Sequence, residues 1–165
     1  MFIRIKKLKG KEYAYLVENT WTDKGPRQKT KKYLGRCFSL DKIENKSFAE
    51  YFNVDIEDFI YSNNFKKTLS MLFELELINH GFEKLKKDDL IAYPKQFKVK
   101  NSLGKEVVLK INEGFLCSYN IKKILNFKFK DEEEDAYKFA ETFLIAGFNV
   151  EKEVFIEIFR KLTNK

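Results

Sequence analysis

The excess positive charge of this chain is concentrated at its start, where basic side chains lie close to Tyr and Trp residues in the sequence. Residues 1–42 contain 12 Lys and Arg residues against four acids, a net charge of +8. The whole chain carries +7, so the remaining 123 residues are close to neutral at −1. A local excess of positive charge attracts polyanions, of which phosphate backbones are the commonest in cells.

The same segment has the sequence pattern of three β-strands. Apolar and polar residues alternate in the first and third segments, and the second is rich in Tyr, Val and Trp. The three segments are 2–8, 12–21 and 27–34. Lys9-Gly10 predicts a tight first turn, and Gly25-Pro26 predicts that the third strand begins there, because proline cannot donate to a sheet. These patterns predict a three-stranded antiparallel sheet.

Residue parity predicts which side chains share a face, because side chains alternate between the two sides of a strand. The predicted face combines four residues of the third strand with three aromatic residues of the second. They are Arg27, Lys29, Lys31 and Tyr33, with Tyr13, Tyr15 and Trp21. Such a face can neutralise phosphates and stack on bases or sugars. The alternative is that Tyr13, Tyr15 and Val17 are buried and the lysines only keep the sheet soluble.

We therefore predict two groups of nucleic-acid-binding residues in this sheet. The cations are expected to contact phosphates, and the aromatic rings are expected to stack or to make shape contacts. The cations are Arg4, Lys6, Arg27, Lys29, Lys31 and Lys32. The aromatic residues are Tyr13, Tyr15, Trp21 and Tyr33.

Three runs within this segment carry a family resemblance. They are FIRIKKLKGKEYAYLVENTW at 2–21, GPRQK at 25–29 and KYLG at 32–35. They resemble the opening segment of many DDE-type insertion-sequence transposases of prokaryotes, which implies a basic sheet that faces DNA. The matching positions are Arg27, Lys29, Lys31 and Tyr33. A sheet of this kind is also similar to the arm-binding domains of tyrosine recombinases, which lay the sheet in the major groove.

The transposase resemblance covers roughly the first quarter of the chain and stops after Arg36. The rest of the chain is too short for a catalytic domain of that kind. The chain as a whole resembles a conserved archaeal protein, and the remainder resembles such a protein more than a truncated transposase. No activity follows from this second resemblance.

Residues 43–165 have the patterns of a mostly helical body, which we predict as a second domain after the module 1–42. Apolar periodicity predicts a helix capped by Asp55, a central core helix over 65–79, and a C-terminal helical hairpin. Residues 82–95 are predicted to be a polar connector, and alternation near 96–111 predicts one β-hairpin. The predicted fold class is α+β: an N-terminal three-stranded antiparallel sheet followed by this body.

The residue types that usually build catalytic or metal sites do not cluster along the chain. His80, the only histidine, is expected to lie at the end of the core helix. Cys37 and Cys117 are expected to be buried thiols. The acids of 131–135 suit the start of a helix better than a divalent-ion site, since consecutive carboxylates on a helix point apart. We therefore predict no enzymatic activity, no metal and no cofactor.

These observations predict a non-enzymatic protein that binds nucleic acid, with duplex DNA favoured over RNA. One alternative is an RNA-binding or ribosome-associated protein, which would have the same charges. Another is an accessory factor whose helical body binds a protein partner or a second copy. The chain has no apolar run of about 18 residues and no signal-peptide pattern, so we expect a cytoplasmic protein without a membrane partner.

Overall fold

The structure is a computed structural model that describes residues 1–130 and 132–164. Within these residues the chain forms eight β-strands and six α-helices. The strands are β1 (Phe2–Leu8), β2 (Lys11–Thr22), β3 (Gly25–Ser39), β4 (Lys86–Lys87), β5 (Leu90–Tyr93), β6 (Lys98–Lys100), β7 (Val107–Ile111) and β8 (Gly114–Leu116). The helices are α1 (Phe48–Phe52), α2 (Ile56–Ser62), α3 (Phe65–Asn79), α4 (Ser118–Leu125), α5 (Glu132–Ile145) and α6 (Lys152–Thr163).

The larger sheet contradicts the prediction of a three-stranded antiparallel sheet. It is a mixed sheet of five strands in the order β1-β2-β3-β7-β8. The three predicted strands form and pair antiparallel, but β3 continues to Ser39, and its last four residues pair parallel with β7. The prediction ended β3 at residue 34, before Gly35, yet this glycine lets the strand continue. Its φ is +133°, and a Cβ there would lie 2.5 Å from the carbonyl oxygen of Glu106, beside the start of β7.

The body also differs from the prediction of one β-hairpin near 96–111. β6 and β7 lie in different sheets, because β6 pairs with β5 in a second sheet of order β4-β5-β6. The local connections between them are a single bridge between Lys100 and Glu106, a salt bridge from Lys98 Nζ to Glu106 Oε1 (3.1 Å) and the turn closed by Asn101 N donating to Lys105 O (3.0 Å). The predicted connector over 82–95 contains β4 and β5. Long-range pairing therefore overrides the local hairpin pattern.

The helix predictions were confirmed where the structure describes them. α3 has the predicted bounds and contributes buried residues on most of its circumference. Asp55 caps α2, and its Oδ1 accepts a hydrogen bond from Asp58 N at 2.9 Å. α5 and α6 pack as the C-terminal helical hairpin, although Asp131 of the acidic cluster lies outside the described residues. None of the helices in the described part of the chain has the length and apolar character needed to cross a membrane.

The two faces of the five-stranded sheet bury different clusters. Val107 and Leu109 of β7 face the large core, which the helices cover. Val108 points the other way and packs in a small cluster with Ala14, Cys37 and Cys117. Side chains from β1 and β8, the two edges of the sheet, pack against this same small cluster and line one cavity. The sheet therefore curls around the small cluster, as twisted sheets do.

Candidate nucleic-acid interface

β2 and β3 extend beyond the rest of the sheet as a two-stranded arm, which we define as residues 18–32. β1 pairs with β2 only as far as Val17, and β3 meets β7 only from Arg36 onward. No residue of the arm is buried. Its five basic residues stand against two acids, Glu18 and Asp23. The basic residues are Lys24, Arg27, Lys29, Lys31 and Lys32. The arm is therefore a basic ribbon that projects from the sheet and contacts β1 through a hydrogen bond from Arg4 to Gln28 Oε1.

Two β-bulges divide the predicted single face into two. The register between β2 and β3 shifts between Ala14 and Tyr15 and again between Leu16 and Val17. Each shift leaves one residue of β3 unmatched, first Leu34 and then Lys31. A bulge inserts an extra residue into one strand and changes which side chains share a face beyond it. Simple parity along β3 therefore fails at both points.

Cross-strand partners show which side chains lie together, because residues directly opposite each other share a face. Three predicted cations of β3 lie opposite Thr20, Glu18 and Leu16 of β2. We call this the basic face; its cations are Arg27, Lys29 and Lys32. The opposite side, the aromatic face, holds the four predicted rings and the two predicted cations of β1. These are Tyr13, Tyr15, Trp21 and Tyr33 with Arg4 and Lys6. Lys31 lies at a bulge.

The three tyrosines of the aromatic face form a compact cluster. The ring centroid of Tyr33 lies 5.2 Å from that of Tyr15 and 6.4 Å from that of Tyr13. Lys6 Nζ lies 4.7 Å from the centroid of the Tyr15 ring, a cation–π contact. Burial raises the pKa of Tyr33, with further contributions from Tyr15 and Tyr13, while Arg36 opposes the shift. The Tyr33 hydroxyl is therefore protonated at neutral pH and can donate a hydrogen bond to a ligand.

The alternative that Tyr13, Tyr15 and Val17 form a buried face applies only to Val17. This valine is 1% exposed, whereas both tyrosines are half-buried. The more completely buried side of β2 is the other one, where Ala14 and Leu16 lie at 0% and 5% exposure. The tyrosine rings therefore remain accessible to a ligand.

On the basic side of the arm, Glu18 neutralises one cation and leaves the others available. Its Oε2 lies 2.7 Å from Lys31 Nζ. The hydrogen bond and the charge of Lys31 lower the pKa of Glu18. No acid among the described residues forms a salt bridge with Arg27, Lys29 or Lys32. These three cations are therefore free to contact phosphates.

The turn at the tip of the arm is closed by hydrogen bonds, and Trp21 lies next to it. Thr22 Oγ1 donates to Gly25 O at 2.8 Å and accepts from Lys24 N at 3.3 Å, which closes the turn. Trp21 lies opposite Pro26 and is 84% exposed. The sequence placed Trp21 on a strand, but its position at the tip depends on where β1 stops pairing.

Sequence reasoning missed three residues of the aromatic face. Arg36 lies opposite Tyr13, and its guanidinium carbon is 4.5 Å from the centroid of the Phe38 ring. The predicted third strand ended at residue 34, and the residues after Gly35 do not alternate between polar and apolar, so no local signal indicated it. Asn19 and Gln28 lie opposite each other on the same face as Trp21. The predicted parity put Gln28 on the other face, and only the bulges bring it here. Arg4 donates a hydrogen bond to Gln28 Oε1.

Polar groups buried in the body serve the fold. His80 caps α3 as predicted, is 1% exposed, and its Nδ1 lies 2.7 Å from the carbonyl oxygen of Glu76, to which it can donate. The Glu76 carboxylate accepts from Asn112 Nδ2 (3.1 Å) and Asn149 N (2.6 Å), which ties α3 to two loops. Among the described residues, no group of three or more His, Cys, Asp or Glu side chains is arranged to hold a metal ion.

Comparison with known proteins does not add to this geometry. No protein-family model matches the chain, and neither the curated proteins nor the solved structures contain a match. The resemblance of residues 2–35 to the opening of transposases stays a prediction. The function is therefore inferred from the arm and the two faces of its sheet.

Proposed function

We propose that this protein binds duplex DNA, without catalysing a reaction on it, through the arm and the aromatic face. The observation that carries this proposal is the arm itself. None of its residues is buried, and its five cations outnumber its two acids. A ribbon that projects from the fold with this charge provides an electrostatic contact surface for a phosphate backbone.

The shape of the arm favours duplex DNA over duplex RNA. The major groove of B-form DNA is about 12 Å wide and admits a two-stranded β-ribbon. The corresponding groove of A-form RNA is deep and too narrow for side chains to read. Beyond Val17 the arm has only two strands, so no third strand blocks its entry into a groove.

The two faces supply different contacts to such a ligand. Arg27, Lys29 and Lys32 are long, unpaired cations that can reach phosphates on either side of a groove. Asn19 and Gln28 carry amides of the kind that pair with the edge of adenine. Their face also carries the tyrosine cluster, which provides flat surfaces for stacking.

The test is a salt titration of matched duplex DNA, duplex RNA and single strands. For wild type we expect a log–log salt slope on duplex DNA of about −4 to −6, which corresponds to about five to seven phosphates neutralised. The variant Arg27→Ala/Lys29→Ala/Lys32→Ala should weaken binding and reduce the magnitude of this slope by about 2 to 3.

A matched control removes the same charge from elsewhere in the chain. Lys66, Lys86 and Lys95 are exposed residues outside the arm, and their joint replacement by Ala should leave the slope close to that of wild type. Equal losses in both triple variants would show that only net charge matters. Absence of binding to duplex DNA near physiological salt would overturn the proposal. A preference for duplex RNA would show that RNA, not DNA, is the ligand.

A further inference from the structure

Trp21 is the most exposed aromatic residue of the sheet and the only tryptophan of the chain. It is 84% exposed, whereas the three tyrosines of the same face pack against each other. No ring or cation among the described residues contacts its indole. Tryptophan is highly buried on average, because its large ring system has much apolar surface to remove from water. An indole left in water at the end of a basic ribbon therefore points to a ligand.

Strand pairing and the turn fix the backbone that carries the indole before any ligand binds. It lies opposite Pro26, whose ring restricts the backbone of the facing strand. Thr20 Oγ1 donates to Arg27 O at 3.2 Å on one side of this pair, and the Thr22–Gly25 hydrogen bond closes the turn on the other. Ordering the arm on binding costs little when the ribbon is already formed.

We propose that Trp21 and Pro26 form an apolar wedge that stacks on an unpaired base. The preferred ligand is then duplex DNA that contains an unpaired base at a bulge, mismatch or gap, and this inference rests on the proposed function. In a fully paired duplex every base is already stacked, so insertion of a ring must first separate a base step. At an unpaired base most of this cost is absent, so the full stacking free energy of the indole contributes to binding.

Two cations next to the wedge can contact the phosphates that flank an unpaired base. Lys24 lies in the turn beside Trp21, and Arg27 follows Pro26 on the basic face. Both cations are within a few residues of the indole and can contact the phosphates that flank an unpaired base. The wedge and its cations thus act on neighbouring parts of one ligand.

The experiment compares two duplexes of equal length, one fully paired and one with a single unpaired base at its centre. Binding is measured by the anisotropy of labelled DNA, and the emission of the sole tryptophan is recorded for wild type. We expect about tenfold tighter binding of the duplex with the unpaired base, accompanied by quenching of Trp21. Trp21→Ala should abolish this preference, while Trp21→Phe should keep part of it.

Tyr137 provides a matched control, because it is an equally exposed aromatic residue, 84%, on α5. Tyr137→Ala should retain the full preference. Equal affinity of wild type for the two duplexes, or a preference that survives in Trp21→Ala, would overturn the role of the wedge while leaving duplex binding intact. Absence of salt-dependent binding to either duplex would overturn the proposed function and this inference with it.

Discussion

The arm and the phenylalanine core are held together in opposite ways. The core is a connected set of eight rings in the helical body, with neighbouring ring centroids 4.9 to 6.3 Å apart. Its members are Phe65, Phe127, Phe129, Phe139, Phe143, Phe148, Phe155 and Phe159. The arm has no buried residue and depends on backbone pairing between its two strands and on its turn.

This difference separates the residues that stabilise the fold from those that are free to bind. A buried ring contributes to stability through the area it removes from water and through close packing. A cation in water contributes little to stability, since exposed charges are well solvated. Substitutions in the arm should therefore change ligand binding, and substitutions in the core should change the free energy of unfolding.

The largest expected effect is that of Phe139→Ala on stability. Phe139 is 0% exposed, and its ring centroid lies 5.0 Å from that of Phe127 and 5.1 Å from those of Phe129 and Phe143. Removing the ring leaves a cavity that should lower the free energy of unfolding by about 3–5 kcal/mol in a denaturant titration. Trp21→Ala in the arm should change it by no more than about 0.5 kcal/mol. A comparable loss in both variants would contradict the separation of roles.

A smaller loss is expected at the junction where β3 leaves the arm and joins the body. Gly35→Ala places a Cβ against the carbonyl of Glu106 at a backbone φ of +133°. We expect the free energy of unfolding, measured from the melting transition, to fall by about 3 kcal/mol. Both the backbone strain and the steric clash contribute to this loss. Gly10→Ala, in a turn with φ +75° and open space around it, should lose only about 1 kcal/mol. Equal losses would mean that the approach of β7 to Gly35 is unimportant.

The small cluster under the sheet should be visible in thiol chemistry. Burial raises the pKa of both Cys37 and Cys117 to about 11. At pH 8 the thiolate fraction of each should then be about 100-fold below that of an ordinary thiol, so a disulfide reagent should react slowly until denaturant unfolds the chain. The pKa of each thiol is higher in the folded state than in the unfolded state, so the contribution of the buried thiols to the stability of the fold is complete below about pH 9. This contribution is lost as the pH rises through 11. Fast labelling of the native protein would contradict the buried cluster.

The smallest expected effect has the opposite sign, because Glu18→Gln should strengthen DNA binding. It removes one of two acids from the arm and releases Lys31 from its salt bridge. We expect an affinity gain of about threefold at moderate salt and a slope steeper by about 0.9. Glu44→Gln is the control, since Glu44 pairs with Lys46 at 2.8 Å outside the arm. A gain that is equal in the control would assign the effect to net charge alone.

Local patterns predicted much of the secondary structure correctly. The three N-terminal strands, the turn at Lys9-Gly10, the bounds of α3 and the cap at Asp55 all follow from neighbours within a few residues. Lys9 and Gly10 both adopt positive φ, as a two-residue hairpin turn of this type requires. Such features can be predicted because their physical causes lie within one turn of helix or one hairpin.

The same reasoning failed where residues distant in the chain meet. The parallel pairing of β3 with β7 joins Arg36 to Val107, and no local pattern specifies a partner so far away. The bulges at Lys31 and Leu34 also arise from pairing, and they moved Arg27 and Lys29 away from the tyrosines. The sequence therefore predicted part of the residues of the candidate site but not their arrangement on two faces.

The sequence by itself determined that the excess positive charge lies in the first 42 residues, because composition does not depend on folding. It also determined that the body has a core rich in phenylalanine. Only the tertiary structure decided that Trp21 is at the tip of a two-stranded arm, since that depends on where β1 and β7 stop pairing with their neighbours. It likewise decided that Arg27, Lys29 and Lys32 lie on the face opposite the rings, because a single inserted residue moves every following side chain to the other side of a strand.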